Sequence, residues 1–145
     1  MDETHYYEVN LLWNSATRGT LSSPVIDDKI EVTSPPLFPI GIKEKWTPEH
    51  LYVAAVNSCL MATFLLVADN SKFDFISFES NAVGKIEKSD GKFAVTEIVL
   101  KPTLLIASVQ NEAKAKRVLE MSEKACVIAN SIKTKITLEP IVTIK

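Results

Sequence analysis

In the first third of the chain, apolar and polar positions alternate, as they do in strands that lie half-buried on a sheet. His5 to Trp13 (HYYEVNLLW) carries aromatic and branched side chains in rough alternation, and Asn14 to Gly19 reads as a turn, so a first hairpin is predicted. Lys29-Ile30-Glu31-Val32-Thr33 alternates again. Pro35, Pro36 and Pro39 then deny the next stretch a regular ladder, which predicts a loop from about Ser34 to Trp46. At Thr47 the pattern changes to Thr47-Pro48-Glu49: a hydroxyl to cap free N–H groups, Pro at the first helical position and an acid in the positive first turn. A helix is predicted from Pro48. From Leu51 to Ala68 it is apolar on nearly all sides, interrupted by Asn57, Ser58, Cys59 and Thr63 and closed by Asp69 to Lys72. A bilayer span needs about 20 apolar residues without such interruptions. The helix is therefore expected to be a central one, covered by the rest of the chain or by a second subunit.

Two β-prone segments follow, Phe73 to Lys88 and Lys92 to Ala107, joined at Ser89-Asp90-Gly91, a hairpin signal. In the second segment the apolar phase shifts between Phe93, Val95 and Ile98, Leu100, which predicts a bulge near Thr96. Pro102, lacking an N–H, belongs at an edge or an irregularity. Residues 111–129 have helical spacing, with Cys126 on the apolar stripe of Ala115, Val118, Leu119 and Ser122. Ile136, Leu138, Val142 and Ile144 then predict a one-sided final strand. The order of elements gives an α+β fold with a mainly antiparallel sheet and a long central helix, in one domain spanning residues 1–145. No Gly-x-Gly-x-x-Gly motif suggests a dinucleotide fold.

Composition narrows the function. The 145 residues are 46% apolar and 23% charged, as in a packed globular protein. Sixteen Lys plus Arg against 18 Asp plus Glu give a net charge of -2, which offers nothing to a polyphosphate backbone, so no nucleic-acid partner is expected. The acidic start, Met1 to His5, does not resemble a secretory signal, and the expected compartment is the cytoplasm. Only His5 and His50 are available as imidazole ligands, without zinc spacing, and neither a metal nor a cofactor is expected.

Two cysteines, Cys59 and Cys126, are too few for a disulfide scaffold; they are either small buried hydrophobes or redox groups. Each has a polar break nearby, Asn57-Ser58 and Asn130-Ser131, as expected where two helices meet at a small, partly polar pocket. Cys59 lies too far along its helix to gain from the helix dipole, so a reactive Cys59 needs a cation from elsewhere. Glu49 lies ten residues earlier, about 15 Å along the axis, and can serve the same site only from a second subunit. Its alternative role is to stabilise the helix dipole. Arg18, in the first turn, is one of two arginines, and alone it carries little information.

The segment Thr47 to Thr63 (TPEHLYVAAVNSCLMAT) resembles the TPEELLLAALASCxxMT motif of the OsmC/Ohr superfamily, the osmotically inducible and organic hydroperoxide resistance proteins. Glu123 to Ser131 (EKACVIANS) resembles that family's EKACPVSNS element, with Val127 where the family has Pro. The resemblance implies an intertwined homodimer with two thiol sites at its interface. It also implies thiol-dependent reduction of organic hydroperoxides in oxidative stress defence, with Cys59 as the peroxidatic thiolate and Cys126 as the resolving thiol. Arg18 and Glu49 would complete the site, and a dithiol or small thiol would be the reductant. Leu51, Leu60, Phe64 and Val127 would form apolar walls for an alkyl hydroperoxide. The alternative is a non-enzymatic dimeric protein that binds an apolar ligand at the interface, its cysteines serving as lining.

Overall fold

The computed structural model describes residues 3–35 and 45–145. They fall into two units, Met1–Leu51 and Tyr52–Lys145. In the first, β1 (Asn10–Ser15), β2 (Arg18–Ser23) and β3 (Ile26–Val32) form an antiparallel sheet in sequence order. The predicted first strand starts later than its alternation suggested. The turn is also tighter: Ala16 takes a left-handed φ of 48°, and the Trp13 indole N–H donates to its carbonyl at 3.0 Å. All six residues of β1 are exposed in this single chain, Leu11, Leu12 and Trp13 among them. Most of the predicted Ser34–Trp46 loop lies outside the described residues.

The unit ends in the start of α1 (Pro48–Asn70). Thr47 and His50 cap this helix reciprocally: the His50 N–H donates to Thr47 Oγ1 at 3.2 Å and the Thr47 N–H donates to His50 Nδ1 at 3.3 Å. This is a capping box with histidine where glutamate is usual, and it satisfies two free donors of the first turn.

In the second unit, β4 (Ser77–Ser89) and β5 (Lys92–Ile106) form the predicted long hairpin. Asp90 and Gly91 turn it with φ of 51° and 79°, the left-handed pair that a two-residue hairpin turn requires. The bulge falls where the change of phase placed it. Lys85 pairs with Glu97 and Ile86 with Val95, which leaves Thr96 as the extra residue, its hydroxyl bound to Glu87 at 2.6 Å.

The predicted last strand is two strands, β6 (Lys135–Leu138) and β7 (Ile141–Ile144), and both run parallel to β5. Pro140 breaks the ladder between them. Pro102 sits on β5 between Leu100, which pairs with Leu138, and Thr103, which pairs with Ile141. Its missing N–H thus faces the gap and costs the sheet no bond.

Across the sheet, α1 buries one stripe: Val56, Leu60, Phe64 and Ala68, four residues apart. Val56 and Leu60 pack with Ile98 and Leu100 of β5. Phe64 and Ala68 pack with Phe73, Leu104, Ile106 and with Ala115, Val118 and Leu119 of α2 (Glu112–Lys124). Within this single chain the other faces of α1 carry exposed apolar side chains, Met61, Leu65 and Leu66. Among the described residues α1 is long and apolar enough to cross a membrane by length and composition.

The helix predicted over 111–129 breaks. It leaves α2 at Ala125, Cys126 adopts an extended conformation (φ −68°, ψ 115°), and a separate short turn α3 (Val127–Asn130) follows. Asn130 holds the break, its side-chain amide donating to the Lys124 carbonyl at 3.1 Å. Cys126 therefore lies at a junction between helices rather than on a continuous apolar stripe.

Candidate active site

Cys59 lies midway along α1 and is half-buried; Cys126, at the α2 to α3 junction, is 1% exposed. The structure brings the two together as free thiols, and their side chains share a hydrogen bond. The extended geometry at Cys126 is what makes the site. It restarts the helix at Val127, and a restarted helix has backbone N–H groups without partners in their own turn. Those of Val127 and Ile128 reach Cys59, and those of Ile128 and Ala129 reach Cys126. From its own helix, Thr63 places Oγ1 3.8 Å from Cys59 Sγ, one turn further on.

These surroundings act oppositely on the two sulfurs. Partial burial pushes the Cys59 thiol up. Hydrogen bonds from Cys126, the Ile128 amide, Thr63 and the Val127 amide outweigh it, and Cys59 is held below the ordinary thiol value. For Cys126 burial again acts upward, reinforced by Cys59 as hydrogen-bond partner and charge, and its thiol is pushed up to about 11. The two thiols are thus shifted in opposite directions, Cys59 downward and Cys126 upward. Beyond the cation expected from elsewhere, the structure adds the backbone donors of α3 and the Thr63 hydroxyl beside Cys59. Thr63 was detectable, since residues i and i+4 share a helix face; the donors of α3 were not, because they exist only once the helix breaks at Cys126.

The other predicted site residues are placed as follows. Leu60 and Phe64 are 0% exposed in the two core clusters, so they cannot wall an open pocket as expected. They lie on the stripe of α1 that packs against the sheet. Val127 is 69% exposed. Leu51, Arg18 and Glu49 belong to the first unit. Leu51 is half-buried. Arg18 is exposed on a polar depression of about 270 Å³ with Asn14, Thr20, Glu31 and Lys45. There Lys45 bonds Glu31 at 2.6 Å and holds that carboxyl below its usual range, with a smaller contribution from Arg18. Glu49 has a buried carboxylate oxygen, Oε1, without a hydrogen-bond partner among the described residues.

An α+β chain with a half-buried thiol on a long apolar helix and a second thiol at a helix break defines a two-cysteine thiol protein. Residues 41–140 match the family model for OsmC-like protein, and the chain belongs to that family. It is similar to an OsmC-like protein of unknown function from Vibrio cholerae, 25% identical, with a TM-score of 0.86 over 95% of this chain and 100% of that one. An organic hydroperoxide resistance protein from Elizabethkingia anophelis, 18% identical, shares the fold with a TM-score of 0.76 over 100% of both chains. Among curated relatives, Peroxiredoxin OsmC of Escherichia coli is 27% identical over 97 residues, 66% of this chain and 67% of that protein. An uncharacterized protein from Methanocaldococcus jannaschii is 27% identical over 96 residues, 66% of this chain, and the match spans about half (49%) of its length. Peroxide defence is thus a role found within the family.

Proposed function

We propose that the protein reduces organic hydroperoxides with Cys59 as the attacking thiolate and Cys126 as the resolving thiol. The observation that carries this reading is the placement of Cys59 beside Cys126, with the Cys59 thiol held below the ordinary value and Cys126 pushed above it, since only a thiolate attacks the O–O bond. In the first step a Cys59 S–O bond forms and the O–O bond breaks. The alkoxide leaves, takes a proton to become the alcohol, and Cys59 is left as sulfenic acid. Cys126 then gives up its proton and attacks the Cys59 sulfur, hydroxide leaves and becomes water, and a Cys59–Cys126 disulfide forms. A dithiol or two small thiols restore the pair by exchange and are themselves oxidised to a disulfide. The names of the Escherichia coli and Elizabethkingia anophelis proteins support this reading.

The active form in this reading is a homodimer. Exposed apolar side chains on β1 and α1, with Leu12 67% and Leu66 60% exposed, support a second copy as their cover. The partnerless Glu49 oxygen would receive a guanidinium, with Arg18 as the candidate, near the thiolate of a neighbouring copy. The test is turnover of cumene and tert-butyl hydroperoxides, beside hydrogen peroxide, with dithiol reductant. Expected is Cys59-dependent turnover that prefers the organic substrates. Oxidation no faster than that of a free thiol would overturn the enzymatic reading and favour an apolar-ligand binding protein.

A further inference from the structure

We propose that Thr63 is a positioning residue for the Cys59 thiolate, its hydroxyl donating to Sγ and fixing the sulfur beside its own helix turn. The inference rests on the reading of Cys59 as the attacking sulfur and adds a residue to that machinery. Its observation is where the hydroxyl goes. Serines in and beside the helices of this chain donate to the carbonyl four residues back: Ser58 to Ala54 at 2.7 Å, Ser122 to Val118 at 2.6 Å and Ser131 to Val127 at 2.7 Å. That is the ordinary local use of a helical hydroxyl. Thr63, also four residues beyond its partner, bonds instead to the sulfur of Cys59 at 3.8 Å.

A thiolate has only lone pairs to offer, so once Cys59 ionises Thr63 must be the donor. Cys59 is half-buried, and burial alone opposes its charge; a local donor on the same rigid helix offsets that cost without bringing in a charged side chain. The bond is also one difference between the two sulfurs: Thr63 bonds Cys59, and Cys126 has no comparable hydroxyl among its hydrogen bonds.

The test compares wild-type, Thr63→Val and Thr63→Ser full-length proteins in two measurements across pH. The first is iodoacetamide alkylation of Cys59, read by mass spectrometry of its peptide. The second is single-turnover oxidation by cumene hydroperoxide. Valine keeps the shape and removes the donor; serine keeps the donor. In Thr63→Val the alkylation profile is expected to shift to higher pH, with the rate at neutral pH lower by about threefold, the scale of one modest hydrogen bond. At high pH its plateau should equal or exceed wild type, because a more basic thiolate is intrinsically more nucleophilic. Thr63→Ser should follow wild type. Superimposable profiles for valine and wild type would overturn the proposal, and so would an equal drop at every pH in both variants, which is the mark of a packing role. If alkylation shifts as expected while hydroperoxide reacts no faster than with a free thiol, the peroxidase reading fails and the role of Thr63 stands.

Discussion

Cys59, half-buried in the middle of a 23-residue helix, meets a hydroxyl and two backbone amides, while Cys126, 1% exposed where one helix ends and another restarts, meets two backbone amides as well, but these are outweighed by burial and by Cys59. The two residues are chemically identical, and their environments shift their thiols in opposite directions. The difference teaches that burial, the Thr63 hydroxyl and the sense of their mutual hydrogen bond set the two sulfurs apart, since each also meets two backbone amides at a break in secondary structure. Pairs of titratable groups driven apart in this way mark the division of labour in catalytic sites generally.

The comparison breaks most completely at its two sulfurs. Cys59→Ser should lower the rate of hydroperoxide consumption at least about 1,000-fold, because the nucleophile itself is gone. Cys126→Ser should leave the first attack within a few fold of wild type and abolish the disulfide, so that sulfenic acid accumulates and overoxidises under excess peroxide, visible as mass additions of two and three oxygens.

Core variants test a separate point, that Leu60 is structural. Leu60→Ala should destabilise the fold by about 2–5 kcal/mol, measured by urea unfolding, and lower activity only as far as the unfolded fraction requires.

A smaller effect sharpens the role of the α3 amides. The φ and ψ of Cys126 are those favoured before proline, and Val127 occupies the first helical position, so Val127→Pro should fit the backbone. It removes one N–H from Cys59. The expected result is a protein at least as stable as wild type whose Cys59 alkylation profile moves up in pH, with a fall of roughly twofold at neutral pH.

Much of the scaffold was legible because its signals are local. Thr47-Pro48-Glu49 marked the start of α1, Asp90-Gly91 the hairpin turn, and the slip from Val95 to Ile98 the bulge at Thr96. The break at Cys126 was not, since Ala125-Cys126-Val127 contains neither Gly nor Pro and the apolar stripe continues toward Cys126; Asn130 holding the Lys124 carbonyl is what stabilises the interruption. Parallel pairing of β6 and β7 with β5 was also hidden, because it joins residues nearly 40 apart and leaves no trace in alternation. Of the candidate site residues, Cys59 and Cys126 were singled out in the sequence, and they lie side by side. Leu60 and Phe64 were misassigned, because a helix apolar all round does not reveal which of its faces meets the sheet.

The most direct test of the account is to alkylate both cysteines of the reduced wild-type protein in one sample across pH and quantify each peptide. The account predicts two separated profiles, with Cys59 rising below the ordinary thiol range and Cys126 only as the pH approaches about 11. Coincident profiles, or Cys126 reacting at the lower pH, would contradict it.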